Sequence, residues 1–433
     1  MPLFLIGVDD TDSKAGMCTT YVAAVLIERL EKIGVNLAGF PKLIRLNPNC
    51  PYKTRGNCGI ALPVEVREEQ ISQAKKITLD TVAELAELRS PTTDPGVVFY
   101  KGSKIPQALK DWSLRVVREI VTLEEAEKLA ESVGAEVHKF KLGRGVIGAL
   151  AAIGNTLERD RTYELVAYRV PENRGTPRRV DARSVEEMDR RTFPRTFDNI
   201  DPSTGEIRIT PHTPCPVLYG IRAEDPEAAL EASRMVKVEE PIERYVLFET
   251  NQATDEHLVR AKIRDVEPLR SFIVDGRVVG YPKVIPGGHV IFKIEDETGE
   301  VDCAAYEPTR QFRSVVKQLV PGDKVRVYGG AKQRRGLPLT INLEKIEVLE
   351  LMRVRRKLNP ICKSCGRRMK SAGRGKGYVC KRCKTKLPPE AAKIVEVPRK
   401  VDVGLHAVPP RARRHLSKPP SRELLVKPPP REF

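Results

Sequence analysis

Leu3-Phe-Leu-Ile-Gly-Val-Asp9-Asp10-Thr-Asp12-Ser13-Lys-Ala-Gly16-Met-Cys18-Thr19-Thr20 is the stretch on which the reading of the N-terminal half turns. The apolar run from Leu3 to Val8 stops abruptly at acids, and Val22, Val25, Leu26, Leu30 and Ile33 then recur at helical spacing. The pattern predicts strand, tight acidic loop and helix, with Thr19 or Thr20 near the N-cap. Asp9, Asp10 and Asp12 put three carboxylates within four residues. They repel one another unless a hard cation sits among them, and Mg2+ is the expected guest. The helix start just beyond offers amides to phosphate oxygens. A plain acidic turn capping a helix needs only one Asp.

Two further loops suit phosphates. The apolar segment Ala38–Leu46 leads into Tyr52-Lys53-Thr54-Arg55-Gly56-Asn57, where two cations can neutralise transferring charge and Gly-Asn lets the backbone come close. The expected strand Glu136–Leu142 is followed by Gly143-Arg144-Gly145-Val146-Ile147-Gly148 and an Ala-rich helix. This matches GxGxxG, but no ribose-binding acid follows about 20 residues later, so no NAD is inferred. Gly143 and Gly145 read either as a phosphate loop or as part of a closely packed helix. Further on lie Asp198, Asp201 and the rigid stretch Pro211-His212-Thr213-Pro214-Cys215-Pro216. The two acids and His212 could hold a cationic amine or manage its proton; Cys215, lacking a base, reads as packing.

The chain has 433 residues, 40% hydrophobic and 31% charged, which predicts a globular protein of about three domains. No apolar run approaches about 18 residues and no leader is evident, so the expectation is a cytoplasmic protein with no membrane association. The net charge is +17, yet Arg353 to the end carries 24 Lys+Arg against 5 Asp+Glu. Such a concentrated positive end suits a polyphosphate partner, most simply nucleic acid.

Within that end, Cys362-Lys-Ser-Cys365 and Cys380-Lys-Arg-Cys383 are spaced for one structural Zn2+. The Gly- and Lys-rich insert between them reads as an exposed hairpin tip. Short alternating runs over about 255–350 (Leu258–Ile263, Gly288–Glu295, Glu300–Tyr306, Lys324–Tyr328, Leu339–Leu349), with a helix near Arg310–Leu319, suggest a five-stranded OB barrel. Tyr281, Phe292, Tyr306 and Lys332–Arg335 are its plausible RNA contacts. Beyond Pro398 only Pro- and Arg-rich pieces remain, which read as a flexible arm.

Taken in order, Gly7–Ser13, Gly16–Thr20, Tyr52–Asn57, Gly143–Gly148 and Pro211–Pro216, followed by the OB pattern and ribbon, resemble the archaeal tRNA(Ile) 2-agmatinylcytidine synthetase family. The resemblance implies a multidomain α+β fold: a kinase-like ATP-binding domain (1–135), a ferredoxin-like domain (136–250), an OB-fold (251–352), a zinc ribbon (353–390) and a Pro/Arg-rich tail (391–433). The border near residue 135 could instead be an interleaving of two domains. It also implies ligation of agmatine to C2 of the wobble cytidine of the isoleucine tRNA with a CAU anticodon, ATP going to AMP and two phosphates, and autophosphorylation at Thr19. On this reading Asp9, Asp10, Asp12, Thr19 and His212 are catalytic. Lys53, Arg55, Gly56, Asn57, Gly143 and Gly145 hold ATP, Asp198 and Asp201 hold agmatine, and the four cysteines hold zinc. A non-catalytic RNA binder would leave the acidic and Lys-Thr-Arg-Gly loops idle. A kinase releasing ADP would leave the RNA modules idle.

Overall fold

The computed structural model describes residues 3–424. In the N-terminal part the elements run β1 (Leu3–Asp9), α1 (Thr19–Glu31), β2 (Asn36–Leu37), β3 (Lys42–Arg45), β4 (Cys58–Glu65), α2 (Ile71–Leu85), β5 (Gly96–Gly102), α3 (Gln107–Arg118), α4 (Leu123–Ser132) and β6 (Glu136–Lys139). Then come α5 (Gly145–Gly154), β7 (Thr162–Arg169), α6 (Ala182–Thr192), β8 (Thr196–Phe197), β9 (Ile200–Asp201), β10 (Glu206–Ile207), β11 (Val217–Ala223), α7 (Pro226–Met235) and β12 (Ile242–Thr250). One sheet runs β6-β5-β1-β4-β3-β12-β7-β11-β8 through both halves. The seam is a short parallel pairing of β12 with β3, Glu249 opposite Lys42 and Thr250 opposite Leu43. The two N-terminal modules are therefore joined edge to edge, and what they hold in common lies across that seam.

Helix α5 lies in the first module's core although the sequence places it in the second. Its side chains Val146, Leu150 and Ile153 pack with Leu5, Ile44 and Val98. Glycines on both sides permit this: a Cβ on Gly59 would fall 2.3 Å from the carbonyl oxygen of Gly148, and one on Gly96 would fall 2.0 Å from Val146 N. The backbones meet because nothing projects between them, and the helix N-terminus is thereby pressed against the carboxyl end of β1.

The barrel comprises β13 (Leu258–Arg260), β14 (Ser271–Val278), β15 (Lys283–Ile285), β16 (His289–Asp296), β17 (Gly299–Ala305), α8 (Gln311–Lys317), β18 (Lys324–Lys332) and β19 (Thr340–Glu350). It closes where β14 meets β16 and where β17 runs parallel to β19. Its first long strand is β14, absent from the sequence reading, which began the barrel at the short β13. Phe292 is a core residue at 4% exposure, whereas Tyr281 and Lys332–Arg335 are exposed.

In the ribbon, β20 (Val354–Leu358) pairs with β24 (Lys393–Val397), and β21 (Lys370–Ser371), β22 (Tyr378–Val379) and β23 (Lys386–Leu387) form the small metal-bearing sheet. Residues 371–376 are an exposed hairpin tip, as expected.

The arm is not loose through residue 424. Strand β25 (Gly404–Ala407) pairs with β19 of the barrel. Upstream, Arg399 is bound bidentately by the buried Asp323, at 2.7 Å on each oxygen. Val408, Leu416 and Arg422 are each 1% exposed. The Arg422 guanidinium is tied to Glu224 and Asp160 on the second module. Charge and proline content suggested disorder, but these arginines bury against acids far away in sequence. The tail beyond residue 424 lies outside the described residues.

Candidate active site

The carboxyl end of β1, the loop after β3, the loop leading into β11, and the C-terminal arm enclose a cavity of about 750 Å3. That is ample for a nucleotide and part of a second substrate. Asp9, Asp10, Asp12, Thr19, Lys53, Arg55, Gly56, Asn57, Gly145, Asp198 and His212 all line it, so most of the residues singled out in the sequence converge.

The acidic loop turns sharply, with Asp10 at φ +60° and Met17 at φ +59°. Cys18, in extended conformation, is the N-cap of α1, which places Thr19 in the first helical turn rather than at the cap. The Thr19 hydroxyl accepts a hydrogen bond from that of Thr11 at 3.1 Å. The three acids do not share one environment. Arg55 donates to Asp12 through Nε at 2.9 Å and also reaches the carbonyl of Met17, so Asp12 already has its countercharge. Asp9 Oδ1 takes the Asp10 amide at 2.6 Å, and Asp10 Oδ2 takes the Asp94 amide at 3.1 Å. Desolvation lifts Asp9 well above the ordinary carboxylate range, with Asp10's charge adding to the rise, and desolvation lifts Asp10 to about 7.

Among the described residues the three acids do not draw together tightly enough to enclose an ion by themselves. With Asp12 engaged by Arg55, the carboxylates of Asp9 and Asp10 are the ones left facing each other without a cationic side chain of their own as close. Two desolvated carboxylates side by side fit Mg2+, which commonly takes one or two protein carboxylates and completes its shell with phosphates and water.

The glycine loop resolves into two roles. Gly143 sits at φ +70° in the turn before α5, where a Cβ would strike the Lys139 side chain, and it does not line the cavity. Gly145 does line it, and a Cβ there would fall 2.4 Å from the Asp9 carbonyl oxygen. The helix is closely packed, as one of the two readings expected, and its N-terminus faces the acids. Arg144 pairs with Asp94 at 2.8 Å and lies 5.4 Å from the Tyr52 ring centroid, a cation over an exposed aromatic at the cavity rim.

Opposite the acids, Lys53 donates to the Pro48 carbonyl, and burial together with the neighbouring Arg414 lowers its pKa. The Asp198 carboxylate is only 5% exposed and is engaged by Arg413, with Arg222 at 3.6 Å. Asp201 is fully buried outside the cavity lining, accepting from the Ser203 amide at 2.9 Å and from its hydroxyl. The structure therefore separates Asp201 from Asp198 and uses it to hold a turn. His212 stands at the rim, 68% exposed, its Nε2 3.2 Å from Arg208 and 3.6 Å from Glu206.

Sequence reasoning missed Arg45, Glu164, Arg222, Arg413 and His415. Glu164 joins the first two arginines, with Arg45 at 3.2 Å and Arg222 at 3.9 Å. Arg222 lies just beyond the Pro-rich stretch, but no spacing rule ties it to residue 45 or 415.

The four cysteines meet as predicted, their sulfurs all within 4.8 Å of one another. Backbone amides of Ser364 and Cys365 help hold the Cys362 thiol down to about 6, which favours the thiolate a metal needs.

Four family models match in order: the TiaS TCKD domain over 5–142, the TiaS FLD domain over 143–257, an OB-fold nucleic acid binding domain over 272–349 and the TiaS C-terminal zinc ribbon domain over 359–401. The chain is 48% identical over 419 residues to the tRNA(Ile) 2-agmatinylcytidine synthetase TiaS of Pyrococcus horikoshii, covering 96% of each. It is 45% identical to that of Methanocaldococcus jannaschii, covering 97% of this chain and 98% of the relative. The chain belongs to the TiaS family. A crystal structure of apo TiaS superposes with a TM-score of 0.87 at 44% identity, covering 97% of each chain. A TiaS complex with the isoleucine tRNA, AMPCPP and agmatine superposes at 0.85 and 41%, again over 97% of each. The fold is thus the TiaS arrangement: kinase-type and ferredoxin-like modules, OB barrel and four-cysteine zinc ribbon. None of the four family models extends past residue 401, so the arm that closes the cavity falls outside all of them. Among the described residues no helix is long and apolar enough to cross a membrane.

Proposed function

We propose that this one cavity carries out both halves of the family reaction, activation of the wobble cytidine and its capture by agmatine. As a TiaS-family member the protein is an ATP-dependent tRNA(Ile) 2-agmatinylcytidine synthetase, a ligase that acts on the isoleucine tRNA with agmatine and ATP. The observation that carries the assignment to this cavity is the pairing of two desolvated carboxylates, Asp9 and Asp10, with a wall of cations and a helix N-terminus across a space large enough for a nucleotide.

The chemistry requires such a place. The C2 oxygen of cytosine is a poor leaving group, so it is phosphorylated before an amine displaces it. Asp9 and Asp10 would hold Mg2+, which spreads the negative charge developing on the phosphates. Arg55 braces Asp12 and the loop from Gly16 to Met17, so its part is to fix that loop. Lys53 and the amides at the start of α5 receive phosphate oxygens. Thr19, in the first turn of α1, faces the same phosphates and is placed for phosphorylation.

For agmatine, Asp198 is the carboxylate at the cavity wall, and its pairing with Arg413 means that the substrate guanidinium must compete with or rearrange that contact. Asp201 supports the loop that carries Asp198. For His212, at the rim, to take the proton that the attacking amine loses, Arg208 must release its Nε2. The base must leave the anticodon stack to enter, with the OB barrel and ribbon gripping the tRNA outside.

Nucleotide product identity tests the proposal. Sustained AMP formation should require the isoleucine tRNA and agmatine together, and Asp9→Asn should abolish it. ADP as the sole product would reduce the protein to a kinase, and no nucleotide turnover would reduce it to an RNA binder.

A further inference from the structure

The arm crosses from the barrel to the second module directly over the cavity, and it is held on both sides of residue 415. Arg413 is paired with Asp198, and Arg414 donates to Asn49 at 2.7 Å. The His415 carbonyl accepts from the Ala253 amide at 2.7 Å, and the Leu416 carbonyl accepts from the Asp255 amide at 2.8 Å. Leu416 and Ser417 are buried, whereas His415 itself is exposed, and its exposure is into the cavity. The flanking residues are fixed so that one imidazole is presented inward.

The tautomer follows from a single contact. Arg222 Nη2 lies 3.0 Å from His415 Nδ1. A guanidinium can only donate, so Nδ1 is the acceptor and the ring proton resides on Nε2. Arg45, Arg222 and Lys53 surround the ring, and their charge together with desolvation holds its pKa well below the usual value, which keeps it neutral. Nε2 lies beside Gly56 of the Lys-Thr-Arg-Gly loop, 3.4 Å from where a Cβ would be. No acceptor for it occurs among the described residues. A neutral N–H donor set among cations is matched to an anionic oxygen, and it is unsuited to taking a proton from an ammonium group.

We propose that the C-terminal arm is part of the active site and that His415 donates its Nε2–H to a phosphoryl oxygen there, belonging either to bound ATP or to the phosphorylated cytidine. This rests on the reading of the cavity as the nucleotide site.

The test uses the full-length protein with zinc bound and compares His415→Ala with His415→Gln, whose amide can restore a donor near Nε2. AMPCPP affinity is measured without tRNA, and agmatinylation of the isoleucine tRNA is measured at saturating ATP. If the partner is ATP, His415→Ala weakens AMPCPP binding by about 10-fold or more, and Gln recovers most of it. If it is the phosphorylated cytidine, AMPCPP affinity is unchanged, agmatinylation slows by a similar factor, and Gln again recovers it. Unchanged binding and rate in the Ala variant would overturn the proposal. So would a loss that Gln fails to rescue in a variant that still melts like wild type, and so would a loss accounted for by a lowered melting temperature in both variants. Asp9→Asn separates the two levels. If it leaves AMPCPP affinity intact, the cavity is not the nucleotide site; if it abolishes binding while His415→Ala does not alter either readout, only the role of the arm fails.

Discussion

Gly148→Ala should cripple the reaction while leaving the fold nearly intact. A Cβ at 148 would sit 1.8 Å from Asp9 Oδ2 and 2.8 Å from the Leu46 Cδ1 atom, whereas real Cβ contacts do not fall below 3.0 Å. Every obstructing atom, Asp9 Cγ at 2.8 Å included, belongs to a side chain rather than to backbone, so the clash is relieved by swinging the Asp9 carboxylate aside by roughly 1 Å, a misplacement able to cost about 100-fold in rate. Alanine is favoured over glycine in a helix by about 1 kcal/mol, which offsets much of the packing penalty. The contrasting variant is Gly59→Ala. Its Cβ would meet the Gly148 carbonyl at 2.3 Å, backbone against backbone, and nothing nearby can yield. That variant should lose about 1–3 kcal/mol or more of stability. The assays are AMP release in the presence of the isoleucine tRNA and agmatine, alongside thermal melting of each variant. A Gly148→Ala enzyme of wild-type rate would refute the placement of Asp9 at the reacting phosphates. Strong destabilisation by Gly148→Ala would refute the claim that the carboxylate can move aside.

Four other outcomes follow. Arg55→Ala strands the Asp12 carboxylate in a mostly buried setting and should lower both melting temperature and AMP release, with Lys a poor substitute because Arg55 also ties Asp12 to the Met17 carbonyl. Arg422→Ala leaves Glu224 and Asp160 without their shared guanidinium and should cost about 3–5 kcal/mol, read as earlier proteolysis within 398–424 and a lower melting temperature. Glu344 is buried and held down to about 2 chiefly by His257, with Arg414 and Lys345 adding. A depressed carboxylate stabilises the fold above its ordinary value of 4.5 and loses that contribution as pH falls toward about 2, so acid melting curves of wild type and Glu344→Gln should converge over that window. Removing zinc by chelation, or Cys362→Ser, should weaken binding of the isoleucine tRNA while AMPCPP binding persists; equal loss of both would make the ribbon part of the global fold.

Local chemistry was the most legible part of this chain. The acidic loop and the Lys-Thr-Arg-Gly loop each gather their charges within a dozen residues, the paired CxxC knuckles lie within Cys362–Cys383, and the structure brings the first two to one cavity. What sequence could not reveal was contact at a distance. Arg422 is 198 residues from Glu224, and Arg413 is 215 from Asp198, so a proline-rich cationic tail gave no hint that its arginines would be buried. Strand β14 was hidden for a different reason. It contains Asp275-Gly276, ordinarily a turn signal, but here a Cβ on Gly276 would come 3.0 Å from the Glu295 carbonyl oxygen, so the glycine lets β14 cross β16 at barrel closure. Asp275 meanwhile pairs with Arg326 at 2.6 Å. Helix α5 packs into the first module from the second module's stretch of chain, because its seat is decided by glycines on β4 and β5, outside its own sequence. Asp201 resembled Asp198 in type and spacing, and only burial distinguishes the turn-holder from the cavity residue.

A crystal structure of this protein with Mg2+ and a non-hydrolysable ATP analogue would show whether nucleotide binds at the carboxyl end of β1. The expected map shows a metal held by Asp9 and Asp10 beside the phosphates, with Lys53 on their far side and His415 Nε2 within hydrogen-bond distance of a phosphoryl oxygen or of the space the cytidine will fill. A nucleotide seated elsewhere, with Asp9 and Asp10 facing only solvent, would contradict it.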